Sequence, residues 1–223
     1  MSVIRRPDVL GRQGRRRIVG ISGAAWAATV ESLSVGTWYA LLVVEPRTAF
    51  TALGGLSVLA FGALLRTGIV GSVLGGLGRY TLPRRALSAV ALSACWLCWL
   101  LVAERIDGRF ALPIAGAVLV VLLSLQFALE RRAVSLHAVP RASKLLTVPG
   151  VRTALLPAVV LAVGSTILLA TSWYAESSLL AVVVPLGEES ATVDVPTALV
   201  GLVGFACCSF LAQERRLRRL LDA

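Results

Sequence analysis

The sequence predicts an all-α fold, a polytopic transmembrane helical bundle with six spans. Three observations carry that expectation. The chain is 57% hydrophobic and only 15% charged over 223 residues, with a mean hydropathy of +0.83. Soluble domains average about 45–50% apolar and about 25% charged residues, so a soluble core of this length could not hide so much apolar surface. The apolar residues fall into six long runs, and basic and acidic connections alternate between them. The sequence therefore asks for a bilayer as its solvent.

Residues 1–17 form a basic N-terminal segment with six arginines. The first run, about 18–44, is too long for a signal-peptide core and contains Glu31, so it is expected to remain as the first span. The second, about 50–78, is interrupted by Arg66 and closed by Arg79, Arg84 and Arg85. The third covers about 86–103 and the fourth about 110–129. A longer polar connection, 130–152, leads to the fifth run at about 153–174. The sixth, about 197–212, is slightly short for the roughly 20 residues that cross the hydrocarbon, and a basic tail, 213–223, follows it. The membrane domain is thus 18–212. The tail is expected to continue the last helix and to meet anionic headgroups.

Between runs five and six lies an acidic segment. Ala181 to Pro185 and Ala191 to Val195 are β-prone, and the stretch between them is turn-like. It reads either as a small surface hairpin or as an irregular acidic loop.

Charge sets the expected orientation. With the N-terminus inside, the inner segments hold 18 basic and 4 acidic residues, and the outer ones 3 basic and 7 acidic. Such a bias over short connections follows the positive-inside rule and predicts a cell-membrane protein with both termini cytoplasmic. The net charge of +10 is explained this way, because the arginines cap apolar runs instead of forming one basic surface. No nucleic-acid partner is expected. The near-exclusive use of arginine, with Lys144 the one lysine, points to a GC-rich, prokaryotic source. Trp38, Tyr39, Trp99 and Trp173 fall near outer ends and are expected at headgroup level. Trp26 and Trp96 lie deeper and are expected to pack inside.

Two charges remain within the spans, Glu31 and Arg66. A charge at the centre of a membrane helix costs at least about 2.5–3.5 kcal/mol on insertion scales. Counted from the inner ends of their spans, both sit at nearly equal depth on consecutive helices. Three readings follow. They form a midplane site for a proton or anion; they form a fixed ion pair; or span two ends near Leu65 and Arg66 reaches back to the interface. Gly71 and Gly75 give a GxxxG spacing suited to close helix packing. Arg131, Arg132, Arg141 and Lys144 in the inner loop, with Arg215 and Arg216 in the tail, are candidate contacts for anionic lipid or a partner.

Other chemistry finds little support. Cys95 and Cys98 form a CxxC, but no outer connection offers a relay thiol, so these cysteines and Cys207 and Cys208 are expected to serve as packing residues. With His137 the one histidine, multi-histidine metal sites are excluded within this chain, and no phosphate-binding loop is present. No cofactor, metal site or enzymatic activity is expected. A fragment shared by spans two and five, Thr51-Ala-Leu with Gly62 against Thr153-Ala-Leu with Gly164, hints at a 3+3 inverted repeat. The expected function is a non-enzymatic membrane subunit, scaffold or assembly component in contact with lipid and with another subunit or a second copy. The alternative is a small permease or ion-coupled transporter that uses Glu31 and Arg66.

Overall fold

A computed structural model describes residues 12–44, 48–73, 82–135, 148–173, 178–186 and 189–221. The chain is an all-α bundle of six long helices. They are α1 (Arg12–Tyr39), α2 (Ala49–Val73), α3 (Leu82–Arg105), α4 (Ala111–Ser135), α5 (Val148–Trp173) and α6 (Thr197–Leu221). A π-helical turn, Ala40–Val44, follows α1. Six stretches are long and apolar enough to cross a membrane: Arg16–Leu42, Ala49–Val73, Arg85–Arg105, Gly108–Glu130, Ala154–Ser172 and Thr197–Arg219.

The helices form a closed circuit. Each packs on its neighbours in sequence, and α6 returns to pack on α1. Short connections enforce the antiparallel order. Between α3 and α4 only Ile106 and Asp107 precede a single 3-10 turn, Gly108–Phe110. Gly108 sits there at φ 78°, a left-handed conformation that a Cβ would strain. Close approach comes from small residues. A Cβ on Gly62 of α2 would overlap Ser34 of α1, and one on Gly164 of α5 would lie 2.6 Å from Cys208 Cβ of α6. These two glycines correspond in the inverted-repeat alignment, yet α1 and α6 do not correspond. The packing thus gives that repeat no support.

Large apolar side chains face outward. Phe50 is 87% exposed, Leu87 71% and Val121 66%. Such exposure around the whole bundle would be untenable in water and is what lipid solvates. Of the two tryptophans expected to pack inside, Trp96 is buried and Trp26 is not. Trp38, Tyr39 and Trp99 are buried, while Trp26 is 67% exposed. Position along the chain does not tell which face a side chain occupies. Glu31, Val35 and Trp38 follow one helical stripe toward the interior, and Trp26 lies about 140° away from Glu31 around the same helix.

Beyond α5, β1 (Ser178–Leu186) and β2 (Glu189–Pro196) pair as an antiparallel hairpin, with Val182 opposite Val193 and Val184 opposite Ala191. The hairpin reading therefore holds over the irregular loop. It runs directly into Thr197, the first residue of α6.

Candidate functional site

The bundle interior has two zones. One is aromatic. Trp96 and Trp99 of α3 meet edge to face at 5.8 Å, Trp96 meets Phe205 of α6 at 5.7 Å, and Tyr39 of α1 lies 6.5 Å from Trp99. The Tyr39 hydroxyl also forms a short hydrogen bond with Ser172 of α5. Side chains from α1, α3, α5 and α6 thus fill the axis.

The other zone is charged, and it contains four ions instead of two. Glu31 on α1, Arg66 on α2, Glu130 on α4 and Arg216 on α6 form an alternating chain. Arg66 Nη1 donates to Glu31 Oε1 at 3.5 Å, and Arg66 Nη2 donates to Glu130 Oε1 at 3.3 Å. Arg216 Nη2 forms a short contact with Glu130 Oε2. Exposure is 2% for Glu31, 1% for Arg66, 5% for Glu130 and 9% for Arg216. Two carboxylates and two guanidiniums make the group formally neutral.

Neutral side chains complete it. Glu31 Oε2 accepts from Ser209 Oγ at 2.9 Å and from Gln213 Nε2 at 2.7 Å. Glu130 Oε1 also accepts from Gln126 Nε2 at 2.7 Å and from Ser88 Oγ of α3. Phe127 lies between the two cations, with the Arg66 and Arg216 guanidinium carbons 5.7 and 4.9 Å from its ring centroid. Both carboxylates therefore have charge-assisted partners on each oxygen, the condition under which buried ions are tolerated. Five of the six helices contribute.

The local reasons are helical. Ser209, Gln213 and Arg216 recur at i, i+4 and i+7 and so share one face of α6, and Gln126 precedes Glu130 by one turn of α4. Glu31 and Arg66 meet because Gly62, four residues before Arg66, lets α2 press against Ser34 of α1. Helix α2 continues past Arg66 to Val73, so the reading in which span two ends near Leu65 does not describe it.

The other sequence-selected residues are placed as follows. Arg216, expected as a headgroup contact, turns inward, because its helical stripe and the Glu130 carboxylate draw it onto the cluster. Its neighbour Arg215 is exposed. Gly71 is buried in α2, and Gly75 lies outside the described residues. Arg131 and Arg132 belong to α4, which runs to Ser135, while Arg141 and Lys144 lie outside the described residues. Cys95 is buried and its CxxC partner Cys98 exposed, and both are free thiols. No group of three or more histidine, cysteine or acidic side chains able to hold a metal occurs among the described residues.

Sequence reasoning missed Glu130, Gln126, Ser88 and the inward stripe of α6. The signal was available in part: Gln126 with Glu130, and Ser209 with Gln213 and Arg216, are polar at helical spacing within or just beyond apolar runs.

Six apolar helices, a lipid-like exterior and a charged group sealed among the helices define a multi-pass integral membrane protein. Comparison with family models, with curated proteins and with solved structures finds no match for the chain.

Proposed function

We propose that this protein is a non-enzymatic subunit or assembly component of a larger membrane complex. It sits in the cell membrane with both termini cytoplasmic. One observation carries the reading: both carboxylates of the charged cluster are buried and saturated by protein donors. Each carboxylate oxygen of Glu31 and Glu130 has a protein donor, and the cavity beside Glu31 and Arg66 measures about 10 Å³, room for about one water molecule. A carrier needs a site that its substrate can enter and a path that opens to it. Here the ions serve one another, and they tie α1, α2, α4 and α6 into one unit. The lipid-facing surface and the hairpin beside α6 remain to meet other chains. Orientation rests on the arginine bias of the connections.

The test has two arms. Crosslinking in native membranes followed by purification should recover a defined membrane partner or a defined homo-oligomer. Proteoliposomes of the purified chain should show no more proton or anion flux than protein-free vesicles. Flux that is lost on Glu31→Gln would overturn this reading in favour of a small permease.

A further inference from the structure

Of the buried N–H groups that meet no acceptor among the described residues, two belong to residues that line one cavity. Arg66 is 1% exposed, and its Nε meets no acceptor among the described residues. Trp96 is 0% exposed, and its indole Nε1 likewise meets none among them. Leaving a buried donor without an acceptor carries a substantial desolvation penalty. Both residues line the same cavity, together with Glu31, Ser34, Val35 and Leu59. Its volume is about 10 Å³, close to the roughly 10–15 Å³ that one water requires. Cavities that stay dry are apolar, whereas the residues that line this one include Glu31 and the two donors' own residues, Arg66 and Trp96.

We propose that this cavity is a binding site for one structural water. Its lone pairs accept from Arg66 Nε–H and Trp96 Nε1–H, and an O–H donates to the Glu31 carboxylate. The water thereby joins the charged zone to the aromatic zone. It gives α3 a second tie to the cluster, through Trp96, beside that of Ser88. It also fixes the guanidinium plane of Arg66, whose remaining nitrogens already hold Glu31 and Glu130. The inference is independent of the subunit reading, since it rests only on the cavity and the two donors of its lining residues.

The first test is a structure of the full chain in nanodiscs at a resolution that shows ordered water. The expected result is one peak within about 3.2 Å of both Arg66 Nε and Trp96 Nε1. An empty cavity, or either N–H turned onto a protein acceptor, overturns the proposal. The second test is Val35→Ile, which adds one carbon at the cavity wall and expels the water. The thermal unfolding midpoint should fall by about 2–4 °C, and a rise or no change would mark a dry cavity. Crowding alone would also lower it, so the change is repeated in Trp96→Phe, which keeps a ring but removes the N–H. The loss caused by Val35→Ile should shrink in that background; an equal loss in both backgrounds overturns the proposal.

Discussion

Arg66 is the pivot of the charged group because it touches both carboxylates, Glu31 at 3.5 Å and Glu130 at 3.3 Å. Removing it leaves Glu31 with no cation and Glu130 with Arg216 alone, in a medium with little water. Removing Glu31 as glutamine keeps the shape and leaves Arg66 with Glu130. Arg66→Leu is therefore expected to be the more damaging change, by about 3–5 kcal/mol, the usual scale for breaking a buried pair from one side. Glu31→Gln should cost less, and the double variant less than the sum. Unfolding midpoints of the four proteins in detergent would check this, and strictly additive losses would argue against direct coupling. Glu31 and Arg66 stand out in the sequence because nothing else charged lies deep within an apolar run. Glu130 does not, because it is the first polar residue after one, and a linear count assigns it to the loop.

At the scale of the helix, what matters is which face a residue occupies once the helix is known to continue. Arg215 and Arg216 read alike in sequence. In the structure, Arg215 is exposed and Arg216 is drawn onto Glu130 and Phe127. Arg216→Ala should therefore lower stability by about 1.5–3 kcal/mol, while Arg215→Ala leaves it unchanged. Equal effects of the two on the unfolding midpoint would contradict the inward face of α6. The number of helices long and apolar enough to span, and the continuation of the last one into the tail, were legible, since length and hydropathy determine the first and helical spacing the second. The partition of each helix into lipid-facing and inward-facing sides was not. In a bilayer both sides are apolar, so the usual amphipathic signal is weak, and Trp26 and Trp38 could not be told apart. Close packing was legible only as a tendency. The GxxxG at Gly71 drew notice, while the contact that sets the α1–α2 approach is Gly62 on Ser34. Gly62→Ala should destabilise by about 1–3 kcal/mol through overpacking, with partial recovery on Ser34→Gly, measured by the same unfolding assay.

For the whole molecule, six crossings put the two ends of the described chain on one side of the membrane, and the proposed orientation, which rests on the arginine bias, makes that side cytoplasmic. In a variant stripped of Cys95, Cys98, Cys207 and Cys208, single cysteines at Arg12, Arg141 and Ala223 should react only from the cytoplasmic side. Cysteines at Asp107 and Glu189 should react only from the opposite side. Labelling at Glu189 from the cytoplasm alone would reverse or break this topology. The closed circuit also bears on how the protein is made. The cluster draws its members from the first, second, fourth and sixth helices, with Ser88 from the third. A ribosome delivers them in that order. After the first span emerges, Glu31 has no counter-ion; after the second it gains Arg66; after the fourth the assembly carries an excess carboxylate. Only α6 brings Arg216, Ser209 and Gln213. From the entry of α4 until α6 packs, the nascent chain holds one carboxylate more than it has guanidiniums in the cluster, so the charges of the cluster balance only when α6 closes the circuit onto α1.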